Sequence, residues 1–66
     1  MKNKIRALRE AMGLTQKELG QKTNVSRQAI NAIETGKYDP SIWLAYKLAK
    51  LFKLSIEDVF LFTEDE

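Results

Sequence analysis

The chain has 66 residues, 44% of them hydrophobic, and a formal net charge of +2. This length suffices for one small domain with a compact core and leaves no room for a large binding cavity. Cysteine and histidine are absent, so disulfides, thiolate chemistry and the commonest general base are excluded, and zinc sites without these residues are rare. We therefore expect a protein that is not an enzyme and that holds no cofactor and no metal.

The apolar segments are short. The longest uninterrupted apolar run is Ile42–Tyr46, whereas a membrane-spanning helix needs about 20 residues. The basic N-terminus is not followed by the apolar stretch of a secretion signal. These features predict a soluble, cytoplasmic protein without a membrane partner.

The charges are distributed unevenly along the chain. Residues 1–38 carry eight Lys/Arg and three Glu, a balance of +5, whereas residues 39–66 carry three Lys and six Asp/Glu, a balance of −3. A basic half fits a protein that presents one face to a polyanion, but a scatter of charges over a small surface explains the count equally well.

Periodicity and capping residues predict two helices in the first third of the chain. The first runs from about residue 3 to residue 12 and directs three apolar side chains to one face: Ile5, Leu8 and Met12. The second begins at Thr15, which forms a capping box with Glu18. Gly20 permits a close approach between helices, and Asn24 tolerates the left-handed backbone of a tight turn.

Serine N-caps predict the starts of three more helices, at Ser26, Ser41 and Ser55. The third helix continues to about Thr35 and ends at Gly36. The fourth helix has one apolar stripe: Ile42, Ala45, Leu48, Ala49 and Phe52. The fifth directs three side chains inward: Ile56, Val59 and Phe60. Residues 61–63 have strand-forming character and can pair with residues 1–3 as a small β-ribbon. The expected fold is all-α, in one domain over residues 1–66.

Residues 15–35 have the pattern of a helix-turn-helix, with two short helices joined by a turn of three or four residues. Four apolar side chains are expected beneath the crossing: Leu19, Val25, Ile30 and Ile33. The opposite face of the third helix carries short uncharged side chains: Gln28, Asn31, Ala32 and Thr35. Amides that both donate and accept hydrogen bonds suit the edges of DNA bases, whereas an ordinary solvated helix carries Glu and Lys there.

The segment LTQKELGQKTNVSRQAINAIETGKYDPS resembles the Cro-like phage-repressor and xenobiotic-response-element (XRE) family of regulators. LREAMGLTQKEL at the front of the chain, which overlaps this segment, and LAKLFKLSIEDVF at the back follow the same family pattern, so the resemblance covers essentially the whole chain. It is strongest to the very short members typified by the cytolysin repressor. The resemblance implies a five-helix lambda-repressor-like fold, a β-ribbon from the chain ends and operator binding as a homodimer. Asn24 departs from the Gly of many members, which affects turn strain rather than function.

The resemblance also implies a buried ion pair between Arg9 and Glu34. The residues independently support such a pair, because Glu34 falls near the apolar face of Ile30 and Ile33, where a carboxylate without a partner is costly.

The third helix is expected to lie in the major groove with its N-terminal half nearest the bases. Gln28 is the first candidate for an adenine contact, and Asn31 can contact a base or a phosphate. Arg27 can take guanine or a phosphate. Ala32 places a methyl near a thymine methyl or is simply a good helix former, and Ser26 contacts DNA or only caps the helix.

Helix ends are the expected phosphate contacts. Free N–H groups at the start of the second helix form an anion site, to which three residues contribute: Thr15, Gln16 and Lys17. Thr35, at the end of the third helix, is also expected to contact a phosphate. Lys37 and Tyr38 follow it and are placed to contact the next phosphates, with a solvated loop as the alternative.

Three apolar residues off the main stripe make the C-terminal third the candidate two-fold interface: Leu51, Leu61 and Phe62. Trp43 and Tyr46 also lie off the stripe, which allows either a subunit contact or partial burial against the loop after the third helix. One domain touches only a few base pairs, so a homodimer on a palindrome is expected.

The function predicted from these features is a sequence-specific regulator of transcription that binds double-stranded DNA, most simply as a repressor. The alternative is an antitoxin or another protein-interaction module of the same fold that acts by binding a partner protein. A dispensable basic face beside a strongly apolar C-terminal face would favour that alternative.

Overall fold

A computed structural model describes residues 1–62 of the chain. Within that range the fold consists of five helices: α1 (Ile5–Ala11), α2 (Gln16–Thr23), α3 (Arg27–Glu34), α4 (Ile42–Leu51) and α5 (Ile56–Val59). The α2 helix packs most extensively on α3, and α4 contacts both α5 and α2. This is the all-α, five-helix architecture predicted from the sequence.

A single apolar core lies between the helices. Its fully buried members come from every helix and from the residue after α5: Ile5, Leu19, Ile30, Ile33, Ala45, Leu48, Ala49, Val59 and Phe60. Every helix therefore contributes its apolar face to the same interior, as expected for so short a chain.

The starts of α2, α3, α4 and α5 are capped by the predicted side chains. The Thr15 hydroxyl accepts from the Glu18 N–H at 3.0 Å, and the Glu18 carboxylate accepts from the Thr15 N–H at 2.8 Å, which completes the capping box. Ser26, Ser41 and Ser55 each accept a hydrogen bond from the backbone N–H three residues ahead. Each cap satisfies an N–H group that has no partner inside its helix.

Four helices end in the same way, with one residue in the left-handed region: Gly13, Asn24, Gly36 and Lys53. In each case the next N–H donates back to a carbonyl five residues earlier, at 2.9 to 3.1 Å, which is the Schellman arrangement. Asn24 has φ 64° and ψ 37°, as predicted for the turn. Lys53, at φ 60°, was not predicted, because lysine carries no preference for this conformation.

Two predictions about core positions are wrong. Met12 is 48% exposed and Ile42 is 66% exposed, although helical periodicity assigned both to buried stripes. Met12 is the C-cap residue of α1 and Ile42 is the first residue of α4. Because both lie at helix ends, beyond the neighbouring helices that cover the middle turns, the correct angular position does not bury them.

The two chain ends meet in a single antiparallel bridge between Asn3 and Phe60. It is flanked by hydrogen bonds from Lys4 N–H to the Val59 carbonyl, 2.8 Å, and from Leu61 N–H to the Lys2 carbonyl, 2.9 Å. The predicted ribbon is therefore present in a shorter form that begins at residue 60. Position 63, which the prediction included, lies outside the described residues.

Replacing Gly20 with alanine should destabilise the fold by about 1–3 kcal/mol, as overpacking of a filled interior does. A Cβ at this position would lie 2.5 Å from the Val25 carbonyl oxygen, and backbone in the turn cannot rotate away. Urea denaturation measures the loss. Gly13→Ala is the matched control, since a Cβ there meets nothing within 4 Å and adds only left-handed strain. Equal losses in the two variants would contradict the role of close approach at Gly20.

Candidate nucleic-acid interface

The α3 helix separates a buried apolar face from an exposed polar one. Ile30 and Ile33 are fully buried against the core. Four polar residues of the helix and its cap are exposed: Ser26, Arg27, Gln28 and Asn31. Ala32, also expected on this face, is half-buried, so its methyl group borders the exposed surface. The amide groups that the sequence predicted for base contact are thus free to meet a ligand.

A buried ion pair joins α1 to the end of α3. The Arg9 Nε donates to Glu34 Oε2 at 2.6 Å and Nη2 donates to Glu34 Oε1 at 3.3 Å, which is the bidentate geometry of a strong pair. The Glu34 side chain is only 2% exposed. The remaining Arg9 Nη1 donates to the Leu14 carbonyl at 2.8 Å, and Gln16 Nε2 donates to Glu34 Oε1 at 3.0 Å. The pair implied by the family resemblance is present, and it also connects to α2.

The electrostatic balance of this pair favours the charged form of arginine. The hydrogen bond to Glu34 raises the pKa of Arg9 above its ordinary value, and the negative charges of Glu34 and Glu10 act in the same direction, whereas burial alone would lower it. No buried polar side-chain atom within residues 1–62 is left without a hydrogen-bond partner. The network therefore meets the condition under which a buried charge pair is tolerated.

Removing one partner of this pair should cost about 3–5 kcal/mol, because it leaves the other charge buried and uncompensated. We expect this loss for Arg9→Met in urea denaturation. The double variant Arg9→Met/Glu34→Met removes both charges and should recover much of the stability. If the double variant is less stable than Arg9→Met, the uncompensated carboxylate is not the cause of the loss.

The start of α2 offers two free backbone N–H groups. The Thr15 N–H, which was expected to be free, is bound by Glu18 within the capping box. The N–H groups of Gln16 and Lys17 donate to no acceptor within residues 1–62. The Thr15 hydroxyl acts as an acceptor in the box, so its own proton remains available. The predicted anion site is consequently formed by residues 16 and 17, with the Thr15 hydroxyl beside them.

A surface cleft brings this helix start next to α3. Its lining consists of Arg9, Thr15, Gln16, Lys17 and Arg27. Three of these side chains are cationic, although the guanidinium of Arg9 is already engaged by Glu34. Arg27 and Lys17 therefore line the same cleft, and within residues 1–62 neither forms an ion pair.

Two predicted phosphate contacts are altered by hydrogen bonds inside the protein. The Gln16 side chain uses one N–H on Glu34, which leaves its second N–H for a ligand. The Thr35 hydroxyl donates to the carbonyls of Asn31 at 3.0 Å and Ala32 at 3.2 Å. Because a hydroxyl has one proton, Thr35 cannot also donate to a phosphate in this rotamer.

Lys37 and Tyr38 are fixed by the end of α3. Their N–H groups donate to the Ala32 carbonyl at 2.9 and 3.2 Å, and both residues are exposed. The loop that carries them is thus tied to the last turn of α3, so that any shift of the helix moves both side chains.

Asn3 holds the end of α3 and was not identified from the sequence. Its Nδ2 donates to the Ile33 carbonyl at 2.9 Å, while its Oδ1 accepts from the Ile5 N–H at 3.1 Å. One side chain therefore joins the start of α1 to the last turn of α3. A lone asparagine near the N-terminus gives no signal for such a contact, since the contact spans 30 residues.

The apolar residues proposed for a two-fold interface differ in exposure. Leu51 and Leu61 are half-buried, and Leu51 packs against the core. Phe62 is 56% exposed, and Trp43 is 74% exposed. Tyr46 is also exposed, so partial burial, the alternative for the two aromatic residues of α4, holds for neither. Within residues 1–62, no helix combines the length and apolar character needed to cross a bilayer.

Comparison with known proteins identifies the family. The helix-turn-helix family model matches residues 5–59. An HTH-type transcriptional regulator of Methanocaldococcus jannaschii is 54% identical over 66 residues, which cover 100% of both chains. The regulator YgzD of Bacillus subtilis is 46% identical over 65 residues, with 98% of each chain covered. The restriction-modification controller protein C.AhdI of Aeromonas hydrophila is 28% identical, with a TM-score of 0.77 over 86% of each chain. The chain belongs to the XRE family of helix-turn-helix transcriptional regulators, and is a regulator rather than an enzyme.

Proposed function

We propose that this protein is a cytoplasmic repressor that binds a palindromic DNA operator as a homodimer, with α3 of each copy in the major groove. The observation that carries the proposal is the exposed amide face of α3, bordered by the basic cleft at the start of α2. The amides can bind base edges and the cleft can bind the phosphate backbone. The surface therefore offers groups for both kinds of contact in a specific DNA complex, base recognition and phosphate binding. Repression follows if the bound dimer covers the site that polymerase needs.

The base contacts are assigned to the N-terminal half of α3. Gln28 and Asn31 lie one turn apart on the exposed face, and each amide can bridge the two groups that adenine presents in the major groove. Arg27 and Ser26 lie closer to the helix start, where guanine or a phosphate is within reach. Ala32 is half-buried and sets how closely the helix approaches a thymine methyl.

The phosphate contacts are assigned to both ends of the interface. At one end are the free N–H groups of residues 16 and 17, with the side chains of Lys17 and Arg27 in the same cleft. At the other end are Lys37 and Tyr38, which the last turn of α3 holds in place. About six phosphates neutralised per dimer give a log–log salt slope of roughly −5.

A homodimer supplies the specificity that one copy lacks. A single small domain contacts few base pairs, whereas two copies about 34 Å apart bind half-sites on one side of the duplex. Selection of bound sequences from random duplex DNA tests the proposal directly. A palindrome with half-sites about one helical turn apart is expected. Recovery of no preferred sequence would contradict it.

Gln28→Ala and Asn31→Ala should each weaken operator binding by about 1–3 kcal/mol, since each removes a bidentate base contact. Thermal stability should remain near that of the wild type, because both side chains are exposed. Fluorescence anisotropy on the selected operator measures the effect. Gln21→Ala is the matched control, an exposed amide on α2 that should leave affinity unchanged. Normal operator binding by both α3 variants would show that this face does not contact bases.

Lys37→Ala should weaken binding to operator and to unrelated DNA by similar factors. It removes one phosphate contact per copy, so the log–log salt slope of the dimer should become shallower by about 2. Titrations at several salt concentrations measure this, with Lys22→Ala as a control lysine on α2. A loss confined to the operator would assign Lys37 to base recognition instead.

A further inference from the structure

A groove between α4 and α5 is formed by residues that the DNA interface does not use. It has an apolar floor and a basic rim, lined by Tyr46, Ala49, Leu54, Ile56, Lys50 and Lys53. The Lys50 ammonium lies 5.7 Å from the centroid of the Tyr46 ring, so positive charge and aromatic surface are adjacent. The groove suits a segment in which an apolar side chain is followed by carboxylates.

The two lysines of the rim have charges that the described part of the fold does not neutralise. No carboxylate within residues 1–62 forms an ion pair with Lys50 or Lys53. Lys53 also occupies a backbone conformation, φ 60°, in which glycine or asparagine is unstrained and lysine is not. Both lysines are exposed, so their ammonium groups are available to a partner at the groove.

The end of the chain carries the complementary chemistry. Phe62 is 56% exposed, and residues 64–66 are all acidic. The Leu61 N–H is bound to the Lys2 carbonyl, which holds the chain beside the end of α3. Phe62 is absent from the lining of the α4–α5 groove, so this groove is not filled by the phenyl ring of its own chain.

We infer that each copy in the dimer inserts Phe62 into the α4–α5 groove of the other copy and places its acidic residues 64–66 against Lys50 and Lys53. This inference rests on the homodimer of the proposed function and names its contact. The exchange is isologous, because each tail-to-groove contact occurs twice about the two-fold axis.

The exposed face of α4 extends the same surface. Ile42 and Trp43 precede Tyr46 by four and three residues, which places all three on one side of the helix, and all three are exposed. Covering them adds exposed apolar surface of α4 to the contact made by the two exchanged tails.

Charge reversal on each side of the contact tests the exchange. The groove-reversed variant is Lys50→Glu/Lys53→Glu, and the tail-reversed variant is Glu64→Lys/Glu66→Lys. Each variant alone sets like charges against each other in both contacts, so we expect its dimer dissociation constant to rise about tenfold or more at low salt. An equimolar mixture of the two variants pairs opposite charges in both contacts and should restore dimers to near the wild-type level. Sedimentation velocity measures five samples: the wild type, the two variants, their mixture and a single chain that carries both reversals. Circular dichroism verifies that each variant is folded.

The mixture separates the outcomes. Restoration on mixing supports exchange between copies. Restoration only when both reversals are in one chain assigns the tail to its own groove and overturns the inference. If the wild type dimerises and the charge reversals leave its dissociation constant unchanged, the tail exchange is overturned, but the proposed homodimer is not. A wild type that stays monomeric even on its operator removes the dimer itself, whereas the operator assays still report on base contact.

Two single variants separate the dimer contact from monomer stability, because each should change the dimer dissociation constant without lowering the melting temperature of the monomer. Lys53→Gly relieves the left-handed strain, so the melting temperature should rise or stay constant while the dimer dissociation constant increases several-fold. Phe62→Ala should weaken the dimer by a similar or larger factor with little change in monomer stability, because the ring is exposed in the single chain. Unaltered dimerisation in both variants would refute the contact.

Discussion

The orientation of α3 depends on the ion pair between Arg9 and Glu34. Burying a carboxylate without a partner costs several kcal/mol of stability. The helix that carries Glu34 therefore packs where the guanidinium of Arg9 can reach the carboxylate. The same carboxylate accepts from Gln16 at 3.0 Å, and the same guanidinium donates to the Leu14 carbonyl at 2.8 Å. One pair therefore fixes α1, the loop before α2 and α3 relative to each other. Apolar contacts alone allow one helix to shift along another, whereas a bidentate hydrogen-bonded pair fixes their relative position.

The parts of the fold that the sequence predicts well are those determined by residues close together in the chain. A serine caps a helix by accepting from the N–H three residues ahead, and a glycine after an apolar periodic run ends one, so both act through local geometry. The predicted caps and turns at Thr15, Asn24 and Gly36 are present. Lys53 shows the limit of this local logic. Its left-handed backbone is imposed by the packing of α4 on α5, since the residue itself prefers another conformation.

The remaining differences arise from contacts between distant segments. Periodicity gives the angle of a side chain about the helix axis but not whether a neighbour covers that turn, so Met12 and Ile42 at helix ends were assigned to the core although they are exposed. For the candidate site, exposure of Gln28 and Asn31 followed from the pattern of α3. The hydrogen bonds that occupy Thr35 and one N–H of Gln16 did not, because they depend on rotamers and on a partner 18 residues away.

The way in which α3 is held explains how short side chains can serve as contacts. Its C-terminal end is fixed by Glu34, by the bond from Asn3 to the Ile33 carbonyl, and by the loop N–H groups that converge on Ala32. Ile30 fixes the middle against the core. The first turn carries the serine cap, the half-buried Ala29 and the exposed side chains of Arg27 and Gln28. A helix anchored at one end can project the other into a groove without flexing, and this suits amides, which have few rotatable bonds to correct a misplaced backbone. Longer side chains would compensate for a loosely held helix, whereas glutamine and asparagine require one whose position the rest of the fold determines.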